Sequence, residues 1–180
     1  MKTAASFALA LPTVDFVFKE PMDANPGYDL VTRTSAELFG GRRVACFCLP
    51  GAFTPTCSST HLPGFEAYYN DITNYVDEVF CLSVNDGFVM DSWFKQLDIQ
   101  KVKPIPDGAG KFTRQMGMLV DKDNIGFGMR SWRYSFVADS GIVEQMWVER
   151  GFGDNTDGDP FQVSDAATML KWLEDSHKKG

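Results

Sequence analysis

No stretch of this 180-residue chain approaches the roughly 18 consecutive apolar residues that a membrane-spanning helix needs. It has no run rich in lysine or arginine, and 24 acidic against 17 basic residues leave a net charge of −7. That balance argues against a surface for nucleic acid or anionic membrane and leaves small molecules and other proteins as partners. Internal repeats and low-complexity linkers are missing, and 180 residues with 44% hydrophobic content suffice for one domain, residues 1–180, with a real core. Cysteine is scarce: Cys46, Cys48, Cys57 and Cys81, and none after that. A chain this apolar needs no disulfide framework, and Cys46 and Cys48 lie inside an apolar run, so the expectation is free thiols in a reducing compartment. The N-terminal MKTAASFALALPTV resembles a weak secretory signal, but it is short and Ser6 interrupts it, so retention in the cytoplasm is expected.

What is present alternates between strand and helix. Residues 14–18 read as a short strand and residues 20–27, with Pro21, Pro26 and Gly27, as a loop. Ser35 is a candidate cap for the turn AELF, which Gly40 and Gly41 end. The segment Arg43–Leu49 is apolar on both alternating faces, as is residues 78–84, which marks strands buried on both sides of a sheet. Helical character follows Pro63, follows Asp86 as a cap, and returns over residues 112–118. Residues 134–138 and 142–148 pair as a hairpin closed by Asp139-Ser140-Gly141, and Ser164 is the candidate cap of a last helix, DAATMLKWLE. Pattern alone gives an α/β class.

The chemistry concentrates in residues 49–65, LPGAFTPTCSSTHLPGF. Pro50, Gly51 and Pro55 forbid regular structure just before Cys57, whereas the residues after Pro63 can form a helix. Cys57 is therefore placed near a loop-to-helix junction, where unpaired backbone N–H groups favour an ionised sulfur. Cys57 is also the only cysteine outside an apolar strand.

The spacing Pro50, Thr54, Cys57 resembles the active-site motif of peroxiredoxins, and PGAFTPTC followed by SSTHLPGF is similar to their type-II, or five-like, members. CLSVNDGFVM (81–90), the Pro106-Asp107-Gly108 turn, RSWRYSFVADSGIV (130–143) and DPFQVSDAATML (159–170) resemble that family in the family's order. The resemblance covers roughly the whole chain. It implies a thioredoxin-like fold with a central mixed β-sheet flanked by helices. It also implies a thiol peroxidase that reduces hydrogen peroxide and alkyl hydroperoxides without metal, haem or flavin. Cys57 would be the nucleophile that becomes a sulfenic acid. The Thr54 hydroxyl would accept from the peroxide and donate to the sulfur or its oxygen, and Pro50 would shield the site from water. Arg133, placed by alternation on one face with Ser131 and Ser135, would be the cation; Arg130 reads equally as a supporting residue or a surface charge. Members of this kind commonly dimerise beside the active-site loop, which makes a homodimer the expectation and gives Phe53, Phe88 and Trp93 either core or subunit-contact roles.

Other residues keep alternatives open. Cys46 and Cys48, two apart on a strand, share a face and read as small buried hydrophobes. In some type-II members a cysteine at the place of Cys81 helps resolve the sulfenic acid, and in others it is a spectator; a disulfide to Cys57 needs Cα atoms within about 7 Å. Where atypical two-cysteine members carry a late resolving cysteine this chain has Val163, so the reductant would be an external thiol, glutathione with glutaredoxin or thioredoxin. His61, four residues after Cys57, permits a Cys–His hydrolase couple or, with Cys46 and Cys48, a zinc site of atypical spacing. A peroxide-sensing relay protein would begin with the same sulfenic acid.

Overall fold

The computed structural model describes residues 8–23 and 26–179. The first half of the apolar N-terminal segment, residues 1–7, and residues 24–25 of the loop expected over 20–27 lie outside the described residues. The chain enters through an antiparallel hairpin, β1 (Asp15–Pro21) and β2 (Tyr28–Thr34), followed by a single helical turn, α1 (Ser35–Phe39). Then come β3 (Arg43–Leu49), α2 (Leu62–Ile72), β4 (Glu78–Ser83), α3 (Gly87–Gln96), β5 (Lys103–Pro106) and α4 (Lys111–Gln115). A small antiparallel pair, β6 (Leu119–Asp121) and β7 (Met129–Ser131), precedes the hairpin β8 (Tyr134–Asp139) and β9 (Ile142–Val148), and α5 (Ala166–Lys178) ends the fold.

The central sheet has the order β5-β4-β3-β8-β9, parallel from β3 to β5 and antiparallel from β3 through β8 to β9. This is the mixed, helix-flanked, thioredoxin-like sheet that the resemblance implies. β3 lies at its centre, and its two apolar faces build two cores. Ala45, Phe47 and Leu49 pack with Phe65, Ile72, Trp93, Met169 and Leu173, whereas Val44, Cys46 and Cys48 pack with Phe39, Phe80, Phe112 and Phe136. The period of two along one strand thus sorts the cysteines: Cys46 and Cys48 go to one face, with Sγ atoms 4.0 Å apart, and Cys57 and Cys81 join the other.

Several local expectations are corrected. The cap of α1 is Thr34, which forms a reciprocal capping box with Glu37, while Ser35 is buried and its hydroxyl bridges Val14 N–H and C=O. Asp165, not Ser164, caps α5 by accepting from Thr168 N–H; Asp86 caps α3 as expected. β2 was hidden because three of its first four residues are exposed and show no apolar alternation, and β5 because its KPIP sequence suits only an edge strand.

The helix bearing Cys57 begins at Pro55, eight residues before Pro63. Pro63 has no N–H to give the carbonyl four residues back, and the turn Cys57–His61 widens to a π conformation in which Leu62 N–H donates to Cys57 C=O. Behind that turn Phe65 stacks on Phe47 at 4.0 Å between centroids and 5° between planes, fixing α2 to the sheet centre. Replacing Phe65→Ala should destabilise the fold by about 3–5 kcal/mol in urea denaturation, and Phe65→Leu by clearly less.

Candidate active site

Cys57 lies in the first turn of the Pro55 helix, with no exposed surface. Its sulfur accepts a hydrogen bond from Arg133 Nη2 at 3.5 Å. Arg133 falls between β7 and β8 and is only 1% exposed, against the usual habit of a sheet-edge arginine. The alternation of β8 carries Val137 into the core that also holds Cys57 and directs Tyr134 and Phe136 to the opposite one. Arg133 shares Val137's parity, and so meets the sulfur.

The guanidinium is held from three further sides. Nη1 meets His61 Nδ1 at 2.9 Å, Nη2 donates to Asp159 Oδ1 at 2.7 Å, and the Phe161 ring lies 5.5 Å from its carbon. His61 Nε2 is 3.0 Å from the Ser164 carbonyl, which can only accept, so Nε2 carries the proton and Nδ1 accepts from the guanidinium. Burial first, and then the charge of Arg133, push the imidazole well below the ordinary histidine range. Packed at tilted angles among Phe47, Phe65 and Phe161, His61 is a neutral fixture whose two nitrogens are both committed. The Cys–His couple is therefore not formed, and the hydrolase alternative loses its base. The zinc reading fails as well: Cys46 and Cys48 line the core on the other side of the sheet, and among the described residues no group of three or more His, Cys, Asp or Glu side chains is gathered for a metal.

The loop ahead of Cys57 is pinned rather than free. Asn85 Oδ1 accepts from Ala52 N–H and from Ser83 Oγ, and Phe53 takes a positive φ of 60° that only a fixed loop sustains. Gly51 leaves room for Arg130, since a Cβ there would meet Arg130 Nη1 at 2.5 Å and displace the guanidinium. Arg130 spans the loop, donating to Pro50 C=O and Phe127 C=O, so it supports the site and is not a free surface charge. Thr54 Oγ1 donates its single proton to Gly51 C=O at 2.7 Å, leaving lone pairs to accept; the expected donation to the sulfur is not made. Cys81 is fully buried in β4, and burial, with the neighbouring thiols, holds its own thiol well above the usual range.

Glu149 organises the far wall and was missed from sequence. Its Oε1 accepts from the N–H groups of Gln162, Val163 and Ser164 and from the Ser164 hydroxyl. Burial acts to raise this carboxyl, but those four donors prevail and hold it below the ordinary carboxylate range. The clamp sets Ser164, hence His61, hence Arg133. Asp159 and Phe161 lie in the DPFQVSD segment and Glu149 directly after β9, where nothing local announces a role; only the loop after β9, folded back, brings them together around Arg133.

The chain is similar to known proteins over nearly its whole length. The family model described as Redoxin matches residues 18–170. The chain is 50% identical over 174 residues to "Peroxiredoxin sll1621" of Synechocystis sp., covering 94% of this chain and 92% of that one. It superposes with TM-score 0.86 and 35% identity on the Plasmodium falciparum antioxidant protein, a 1-Cys peroxiredoxin, over 92% of this chain and 98% of that one. For reduced Prx3 of Vibrio vulnificus in complex with hydrogen peroxide the TM-score is 0.80 at 32% identity, over 97% and 99%. No helix among the described residues is long and apolar enough to cross a membrane.

Two tests follow from the scaffold. His61 is neutral in the fold but takes a proton once unfolded, so the unfolded state binds more protons below its ordinary pKa of about 6.5, and stability falls as pH drops through that value, by up to about 1.4 kcal/mol per pH unit. His61→Gln, which keeps an acceptor and a donor, should flatten the urea-derived stability profile between about pH 6.5 and 5 relative to wild type, the slope that remains there belonging to other groups. Glu149→Gln leaves the four donors a weaker acceptor and should cost about 2–3 kcal/mol of stability, with faster hydrogen exchange at the amides of 162–164.

Proposed function

Since the chain belongs to the Redoxin family and is a peroxiredoxin, a thiol-dependent peroxidase, we propose that Cys57 is its peroxide-reducing thiol, with Arg133, Thr54 and Pro50 as its partners. The observation that carries this reading is the fully buried sulfur of Cys57 held 3.5 Å from the guanidinium of a fully buried Arg133. A cation at that distance suits an anionic sulfur and is equally placed to donate to peroxide oxygens as charge develops on them.

In the proposed step the thiolate attacks one peroxide oxygen, the S–O bond forms as the O–O bond breaks, and Cys57 becomes a sulfenic acid. The other oxygen leaves as hydroxide or alkoxide and takes up a proton. Thr54, its own proton given to Gly51, accepts from the peroxide O–H and orients the attacked oxygen. Pro50, with Pro55, Ile125 and Phe127 around the entrance, keeps bulk water from the sulfur. The complex of the Vibrio protein with hydrogen peroxide supports such a substrate here.

An external thiol, glutathione with glutaredoxin or thioredoxin, then completes the cycle: one thiol condenses with the sulfenic acid and releases water, and a second frees Cys57 as a disulfide leaves. Cys81 is a spectator in this scheme, being locked into β4 between two paired strands. We also propose a cytoplasmic location and a homodimer formed beside the active-site loop. The exposure of Phe53 and Phe88 supports the dimer, in contrast to Trp93, which is wholly core.

Mixing reduced protein with one equivalent of hydrogen peroxide and trapping with dimedone should label wild type rapidly and Cys57→Ser not at all by intact mass. Arg133→Met should slow labelling by about 10²–10³-fold. Labelling no faster than an ordinary thiol would overturn the reading; an intramolecular disulfide would reassign Cys81; labelling without turnover by any of the named reductants would favour a sensor. Sedimentation giving a concentration-independent species at the mass of one chain would remove the dimer.

A further inference from the structure

The space beside loop 50–56, which leads into Cys57, is larger than hydrogen peroxide requires. A cavity of about 350 Å³ is bounded by Pro50, Thr54, Pro55, Ile125, Phe127 and Lys122, with Asp159 at its rim. A water-sized molecule needs about 30 Å³, so this volume fits a small organic ligand. Its walls are mostly apolar, yet Lys122 is 4% exposed and its ammonium rests 5.4 Å from the Trp132 ring centroid. Among the described residues no carboxylate lies within ion-pair distance of it. The one carboxylate of the cavity, Asp159, is taken by Arg133. Backbone bonds from Ile125 and Phe127 to the Lys122 carbonyl, and from Lys122 N–H to the Gly128 carbonyl, hold its main chain at this wall.

The Lys122 ammonium stands at a mostly apolar wall with no carboxylate beside it among the described residues, and a cation–π contact offsets only part of the cost of taking it from water. We propose that Lys122 receives the carboxylate of an organic hydroperoxide: the apolar walls hold the carbon skeleton, Thr54 and Arg133 take the peroxide group, and Lys122 takes the acid. The enzyme thereby prefers hydroperoxy acids to neutral hydroperoxides of the same shape. This rests on Cys57 being the reacting thiol. Lys122 is a specificity residue and touches no reacting atom.

The test compares para-carboxycumene hydroperoxide with its methyl ester, reading the rate constant for sulfenic acid formation on the full chain, with hydrogen peroxide as a separate arm. Wild type should favour the acid by about tenfold at low salt, with the preference shrinking as ionic strength rises. Lys122→Met and Lys122→Gln should bring the acid-to-ester ratio to about one, and Lys122→Arg should retain most of it. A wild-type ratio of one or below overturns the proposal whether or not the variants fold, and so does a ratio that Lys122→Met leaves intact. An effect of Lys122→Met confined to reduction of the sulfenic acid by glutathione overturns it in favour of a carboxylate on the reductant. Failure of the hydrogen peroxide arm itself sinks the assignment of Cys57 and is thus distinguishable from failure at Lys122.

Discussion

One buried guanidinium governs this structure. Arg133 has almost no contact with solvent, and removing a cation from water costs several kcal/mol even after the protein relaxes around it. That cost is tolerable only because Cys57, His61 and Asp159 supply acceptors on its Nη edge and Phe161 a ring face. Its Nε has no partner among the described residues, so the arrangement is not fully satisfied even so. Each partner has to be in place for the others to be tolerated. The neutral His61 is needed as an acceptor, and an imidazolium at 2.9 Å would add a second buried positive charge. Glu149 matters at one remove, since the carbonyl that fixes the tautomer of His61 belongs to Ser164, whose N–H and hydroxyl it holds.

The same constraint explains the shape of the helix that carries the sulfur. An ordinary α-helical start before Pro63 would lack the bond that proline cannot donate. The π turn from Cys57 to His61 redistributes the carbonyls and spaces Cys57 and His61 on one wall, so both reach one guanidinium. Trp93 then ties the turn to α3 through Ser58 Oγ at 3.0 Å, and Phe65 ties it to β3. The site is thus built on packed elements, which is what holds donors in place without reorganisation during reaction.

How far this was legible in the sequence follows from the range of the interactions. The sheet centre, β3 and β4, could be read because strands buried on both faces carry continuous apolar runs, and the hairpin because its turn residues are local. Cys57 could be placed at a helix start because Pro50, Gly51 and Pro55 are local signals too. Arg133 was reachable only through family resemblance, since a strand arginine ordinarily faces solvent and alternation alone does not tell which face of the sheet holds Cys57. Asp159, Glu149 and the tautomer of His61 were not legible: their roles are set by groups in distant segments, and no periodicity encodes a loop folding back onto β8. The caps were misassigned by one residue at Ser35 and Ser164 for a related reason. Both serines are wanted by long-range partners, Val14 and Glu149, which leaves the neighbouring Thr34 and Asp165 to cap.

Charge separates what the molecule does at long and at short range. With a net charge of −7 the protein repels anions as a whole, but that field decays over a Debye length of about 8 Å at physiological ionic strength. An uncharged peroxide is indifferent to it. Around the Cys57 loop the balance reverses: Arg133 meets the sulfur, Arg130 holds Pro50 and Lys122 lines the adjoining cavity, against the single carboxylate of Asp159. A charge of this kind at long range leaves an uncharged peroxide untouched, so any discrimination by charge would fall to the few basic groups that the fold gathers around this loop.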